Sequence, residues 1–416
     1  MRIVKRIPRK DLDDFTTIIA NAYPGMRIVS EEDRKTFKKR IADRLKNDSR
    51  MNLYGLYRKK RLLGVMALYD FCMKLLSVKT TVGGVGLVAV DLLHKKEKVC
   101  KEMIAFFHDY YLKKKVCMTA LYPFRPDFYK RMGYGYGTKM NQYIIKPSNL
   151  PKGRSKRHIR FLNKKDVNRI LTCYERHFNR THGLMQRIRY DFNSVFNDPE
   201  IKIIGYEDKK RISGYLIFGF RPARADNFIL NDIQIYELIY EDQKVLSELL
   251  TFLQTQADQI NNIIYDTQDD NFHYLPIDPR DGSDDMMRPV GHVTNKQGIG
   301  IMYRVADTRG LFKVLKSHNF NGQNLRLKIS IRDTFLASNN RPVIVHFVNG
   351  KPNLKRSNYD CEIKLDVAEF SSLIMGVVNF NSLFRYGLAT TSNLKYLKTI
   401  NKIFVTDEKP ICLTAF

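Results

Sequence analysis

The chain has 416 residues, too many for one core, and ~100–200 residues per domain points to two to four domains. A hydrophobic content of 44% and a charged content of 27% are ordinary for a folded protein, and runs such as 82–90 fall short of the ~20 apolar residues a membrane helix needs. Lys and Arg number 71 against 43 Asp and Glu, a net charge of +28, yet the basic clusters are scattered and form no RNP-like, zinc-finger or helix-turn-helix pattern, so no nucleic-acid partner is expected.

Residues 2–7 (RIVKRI) predict a strand, and DLDDFTTIIANAY predicts a helix that stops before Pro24. Ser30 opens a second helix, with SEED (30–33) as a capping box and Phe37, Ile41 and Leu45 on one face. MNLYGLY and LLGVMALYDF flank a basic turn and read as a hairpin. VGLVAV (85–90) is a strand, and the helix after it aligns Val99, Met103, Phe107 and Tyr111. VCMTALYP is a strand, Pro126 starts a short helix, and 138–146 is expected as the last strand of a first domain, 1–150. PSNLPKGRSKR (147–157) reads as a linker.

A second domain, 151–294, repeats this order. GLYRKKRLLG (55–64) and GYEDKKRISG (205–214) share G-x3-K-K-R-x2-G, which points to an internal duplication. From 295 to 416 the strands NLRLKISI, PVIVHFV and CEIKLDV alternate with short helices, one with Leu394, Leu397 and Ile400 along a face, and predict an α+β unit. The terminal ICLTAF carries no side-chain charge, an odd composition for a chain end that would otherwise fray.

VGLVAV (85–90), HKKEKVCKEM (94–103) and PDFYKRMGYGYG (126–137) make the first domain resemble the GNAT superfamily of acetyltransferases. The whole chain resembles its Eis-like (enhanced intracellular survival) branch: two tandem GNAT-like domains of α/β type, then a sterol-carrier-like α+β domain, here carried by 302–315 and 365–383. The resemblance implies an acetyl-CoA-dependent N-acetyltransferase acting on primary amines, with aminoglycosides, polyamines or lysine side chains as acceptors. The alternative is a lipid carrier or scaffold with an inactive site. It also implies a homo-oligomer, possibly a hexamer.

By the same resemblance, acetyl-CoA would lie against Val88, Ala89, Val90 and Phe124, with its pyrophosphate at Lys95, Lys96, Glu97, Lys98, Val99, Cys100 and Lys101. A helix N-terminus with free N–H groups suits an anion. Family loops read R/Q-x-x-G-x-G/A, whereas this one has no glycine and depends on lysine charge. Tyr129 in F-Y-x-R-x-G-Y is the implied acid toward the CoA sulfur, with Lys130 or Arg131 as neighbours that would acidify it. Phe416 is the implied source of the base, through its terminal carboxylate. In the second domain YELIYEDQK (236–244) is acidic where phosphate would sit, so that domain is expected to be structural.

The six cysteines form no CxxC pair and the nine histidines no HExxH, which predicts reduced thiols, a cytoplasmic protein and no metal site. No secretion signal is visible near the start. Seven aspartates and one arginine between Asp266 and Asp285 lack calcium-loop spacing and read as a solvated loop, or as an acidic rim for a polycationic amine. His177 and His182 are expected at the surface.

Overall fold

The structure is a computed structural model and describes residues 2–354 and 358–416. It divides into two compact units. One holds the chain up to Gly137, Ile301–Pro410 and Thr414–Phe416; the other holds Thr138–Gly300 and Ile411–Leu413.

The first unit contains a seven-stranded sheet in the order Arg2–Arg6, Met51–Arg58, Arg61–Leu75, Val78–Val90, Met118–Leu121, Met302–Val305, Gly135–Tyr136. Its first four strands form an antiparallel series. The next pairing is parallel and short, with only Gly83 and Gly84 matched to Thr119 and Ala120. Beyond Gly84 the two strands lack partners in one another, and the sheet opens between them. The helix Val99–Lys113 buries Val99, Met103, Phe107 and Tyr111 on the core side, as their spacing predicts. Ser30 caps the helix Glu31–Asn47 and Asp33 reciprocates.

The same unit carries a five-stranded sheet: Lys351–Leu354, Val343–Val348, Leu325–Arg332, Cys361–Asp366, Ala389–Thr391. Arg304, on the inserted strand, is fully buried. It donates to both carboxylate oxygens of Asp333 at 2.8 Å and to the Met132 carbonyl at 2.8 Å. A bidentate, additionally hydrogen-bonded pair is the form in which buried charge is tolerated. It fastens the turn after helix Pro126–Lys130.

The second unit has its own seven-stranded sheet, in the order Asn295–Ile299, Lys139–Ile145, Ile260–Thr267, Asn227–Tyr240, Arg211–Arg224, Ile201–Asp208, Ile159–Phe161. The duplicated hairpins share a packing device. A Cβ on Gly64 would come 2.8 Å from Val99, and one on Gly214 2.4 Å from Val245, so each glycine lets the next helix settle on its hairpin. The helix Arg189–Phe196 was not anticipated.

Lys139–Ile145, expected as the last strand of the first domain, pairs in this second sheet with Ile260–Thr267 and Asn295–Ile299. Met302–Val305 enters the first sheet instead, between Met118–Leu121 and Gly135–Tyr136. Alternation in a strand fixes which face is buried and leaves open which sheet receives it. For the same reason 301–410 shares a compact unit with the first 137 residues, where a third unit from 295 was expected. ICLTAF forms no strand ladder.

Candidate active site

The opening in the first sheet is shaped by a bulge. The ladder between Val78–Val90 and Arg61–Leu75 steps from Gly86 opposite Ala67 to Ala89 opposite Val65, leaving Leu87 and Val88 without partners. Leu87 has φ 48, a left-handed conformation that costs a bulky residue about 1–2 kcal/mol. The strand bends there and turns its backbone into the gap. Tyr23 donates from its hydroxyl to the Val88 carbonyl at 2.7 Å. A cleft of about 290 Å³ results, lined by Tyr23, Met26, Val88, Phe124, Tyr129 and Phe416 among others. Of the three strand residues expected to meet acetyl-CoA, Val88 lines this cleft, Ala89 is buried, and Val90 pairs with Gly64.

Tyr129 is buried on helix Pro126–Lys130. Its ring meets those of Phe124, Phe128 and Tyr134 nearly edge-on, at 5.7, 5.2 and 5.9 Å. Burial pushes its pKa up, with the nearby Cys100 thiol adding to the effect. Burial also lifts Cys100 to about 11. The expected acidifying neighbours are engaged elsewhere: Lys130 pairs with Glu369 at 2.7 Å, and Arg131, 81% exposed, faces Asp127 at 3.6 Å. Tyr129 therefore holds its proton firmly.

The chain end is seated. The Phe416 ring sits in an aromatic box, 5.6 Å from Tyr69, 4.8 Å from Phe71 and 5.5 Å from Tyr122. A Cβ on Gly86 would lie 2.6 Å from the terminal carboxyl carbon. The terminal carboxylate and Tyr129 thus border one cleft, and only glycine at 86 admits the carboxylate. Upstream, within the second unit, Ile411 N–H donates to the His182 carbonyl at 2.9 Å, Cys412 N–H to Gln268 Oε1 at 2.6 Å, and Arg187 to the Leu413 carbonyl at 3.0 Å.

The basic loop keeps the backbone form that its missing glycines would serve. Lys96 has φ 66 and Lys98 φ 64, both left-handed. Lys98 is the N-cap of helix Val99–Lys113 and makes no side-chain cap, so among the described residues no capping side chain occupies the first N–H groups of that helix. Lys95, Lys96, Lys98 and Lys101 are exposed and form no ion pair among the described residues. Glu97 points back onto the protein. Arg2 donates to its carboxylate and its carbonyl, both at 2.7 Å, and His94 Nδ1 lies 2.9 Å away. The His94 contact, with Arg58 and Arg2 beyond it, holds the Glu97 carboxyl below its usual range. Val99 is buried beneath Gly64, Cys100 is half-buried, and Phe124 is 60% exposed beside the cleft.

The second unit has filled its counterpart. Asp242 caps helix Gln243–Gln254, accepting from Val245 N–H at 2.9 Å. At the matching bulge Glu237 is gripped by Arg187 and accepts from Tyr215 at 2.5 Å. Its helix start already carries an anion, and its gap a buried ion pair.

Sequence reasoning missed the roles of Tyr23, Gly86 and the box of Tyr69, Phe71 and Tyr122: the segments that hold them were read as a helix and strands, but their partners lie far away in the chain. His177 is half-buried, with Nδ1 shielded from solvent, and burial drives its pKa down to about 4, with Arg180 and Arg187 adding to the effect. Aspartates of 266–285 are used locally, Asp278 with Arg280 and Asp281 with Ser283. Another hollow of the first unit, about 1030 Å³, lies elsewhere, with Lys130, Arg332 and Glu369 beside apolar Ile331, Val367 and Leu388.

Residues 4–137 and 178–305 each match a family described as acetyltransferase (GNAT) domain, and residues 311–413 match the sterol carrier protein domain. No curated protein matches the chain significantly. Solved structures match it along the full length of both chains. They include a GCN5-related N-acetyltransferase from Anabaena variabilis (TM-score 0.82, 16% identity), another from Kribbella flavida (0.77, 17%) and Eis1 from Mycobacterium abscessus (0.76, 17%). At these identities the likeness is one of fold.

Proposed function

Because this chain belongs to the GNAT superfamily of acetyltransferases, in the Eis-like order of two GNAT domains and a sterol-carrier domain, we propose that it transfers the acetyl group of acetyl-CoA to a primary amine. The observation that carries this reading is the meeting of Tyr129 and the terminal carboxylate at one cleft, where the strands of the first sheet part.

In this reading Lys95, Lys96, Lys98 and Lys101, with the uncapped N–H groups of helix Val99–Lys113, hold the cofactor phosphates. An acceptor arrives as an ammonium and must lose a proton before it attacks. A carboxylate of pKa ~3.5 is a poor base for an amine of pKa ~10, and partial burial of both narrows the gap. The Phe416 carboxylate takes that proton. The nitrogen attacks the thioester carbon, and the backbone N–H groups of the bulge at Leu87 and Val88, which lack ladder partners, would hold the oxyanion. As the C–S bond breaks and the N–C bond stands, the nitrogen sheds its second proton. Of the two protons lost, one ends on the CoA thiol and one in solvent. A free thiol has pKa ~8.5, so a tyrosine held above 10 stabilises the leaving sulfur best by donating a hydrogen bond while keeping its proton.

The same reading puts the protein in the cytoplasm, where its six free cysteines stay reduced. No helix of the described residues is long and apolar enough to cross a membrane. Calorimetry with acetyl-CoA tests the proposal. Binding followed by CoA release with an amine supports it; no binding at millimolar cofactor rejects it.

A further inference from the structure

We propose that the opening in the second sheet is a binding site for an extended peptide, that its ligand is the chain's own residues 411–413, and that Arg187 and Gln268 are thereby positioning residues for the Phe416 carboxylate. The effect on turnover rests on the acyltransferase reading above; the binding of the tail does not.

The second sheet opens as the first does. Its parallel ladder runs from Asn231 opposite Ile260 to Ile235 opposite Tyr265 and stops. Glu237 lies beyond that point on one strand, and Gln268 follows the end of the other, Ile260–Thr267. In the first sheet the corresponding ladder stops at Gly84 opposite Ala120, and the cleft lies beyond it. In the second sheet both sides of the opening hold the tail. Gln268 Oε1 accepts from the Cys412 N–H at 2.6 Å. Arg187, paired with Glu237, donates to the Leu413 carbonyl at 3.0 Å. The His182 carbonyl accepts from the Ile411 N–H at 2.9 Å.

Three consecutive residues are thus gripped through main-chain atoms, the bonds that give affinity for an extended segment. The groups that grip them are themselves fixed. The Arg187 guanidinium lies over the rings of Tyr174 and Phe192, at 4.5 and 5.3 Å, and donates to Glu237 at 2.7 Å. Gln268 is buried, and its Nε2 donates to the Thr138 carbonyl at 3.1 Å, which leaves its Oε1 for the tail. Leu413 and Phe416 are three residues apart, a reach of about 10 Å when extended. An anchored Leu413 therefore limits the volume the terminal carboxylate can search, and a base that is already placed loses less freedom when it acts.

Two variants of the full chain test this. Gln268→Leu removes the acceptor for Cys412. Arg187→Met together with Glu237→Gln removes the donor to Leu413 without leaving a buried charge alone. Carboxypeptidase A removes a C-terminal phenylalanine, so mass spectrometry of the digest reads release of the tail independently of activity. We expect both variants to lose Phe416 about tenfold faster than the unaltered chain, the scale of one lost buried hydrogen bond. Their kcat for CoA release with a primary amine should fall ~10-fold or more, the effect of a misplaced reacting group, while acetyl-CoA affinity by calorimetry stays the same. Circular dichroism shows which variants fold, and either one that folds decides. Trimming at the unaltered rate would overturn the anchoring. Faster trimming with unchanged kcat would overturn the positioning role. No CoA release by the unaltered chain would reject the acyltransferase reading, and the trimming rates would still decide whether the tail is anchored here.

Discussion

Neither cation expected to make Tyr129 more acidic faces it. Lys130 and Arg131 are turned to Glu369 and Asp127, and burial raises its pKa. Its expected service is a hydrogen bond to the departing sulfur. Tyr129→Phe should leave acetyl-CoA binding nearly intact by calorimetry and lower kcat by ~10²-fold, the scale of one lost hydrogen-bond donor to developing charge. Full activity would remove Tyr129 from the reaction. Gly86 supplies a second test, because a Cβ there would stand 2.6 Å from the terminal carboxyl carbon. Gly86→Ala should displace the chain end and cut turnover by ~10-fold or more, since misplacing a reacting group by about an ångström can cost that much. A variant with unchanged kcat would show that the carboxylate need not sit there. Tyr129 was legible because F-Y-x-R-x-G-Y is a contiguous pattern. Gly86 and Tyr23 were not, because their roles depend on residues 330 and 65 positions away in the chain.

The basic loop shows how an element can keep its geometry after changing its residues. Lys96 and Lys98 stand in left-handed backbone, where glycine would be unstrained. Two consequences separate charge from conformation. Replacing Lys95, Lys96 and Lys98 together with Gln should raise the KM for acetyl-CoA and flatten its dependence on salt. Replacing Lys96 alone with Gly should raise the stability of the free protein by up to about 1 kcal/mol, read as a higher Tm, while weakening cofactor binding. A triple variant with unchanged KM would put the pyrophosphate elsewhere. The helix after the loop was predicted from Val99, Met103, Phe107 and Tyr111, and all four are buried. The left-handed turns were not, because glycine is the usual signal and none is present.

On the scale of the molecule, strand membership departs from chain order. Met302–Val305 completes the first sheet, and Lys139–Ile145, just beyond Gly137, pairs in the second. The family match over 178–305 includes that returning strand, whereas the match over 4–137 stops before Lys139. Period-2 patterning revealed both strands but carried no information on their partners. Residues 1–150 alone would lack the strand that pairs with both Met118–Leu121 and Gly135–Tyr136, along with Arg304 on the Met132 carbonyl. That piece should show no cooperative thermal unfolding by circular dichroism; a sharp two-state melt would mean the inserted strand is dispensable.

The apolar end of the chain now has a physical reason. Ile411, Cys412 and Leu413 are held through their main-chain atoms by hydrogen bonds with the His182 carbonyl and the Gln268 and Arg187 side chains, and the Phe416 ring fills an aromatic box that fixes the carboxylate against Gly86. If that carboxylate is the base, lengthening the chain moves it while sparing the side chains that pack the tail. The most direct measurement is acetyl-CoA-dependent CoA release with a primary amine, comparing the unaltered chain with one carrying two glycines after Phe416. The account predicts amine-dependent release by the unaltered chain, and loss of most turnover with acetyl-CoA binding preserved in the extended one. Equal rates from both would contradict it.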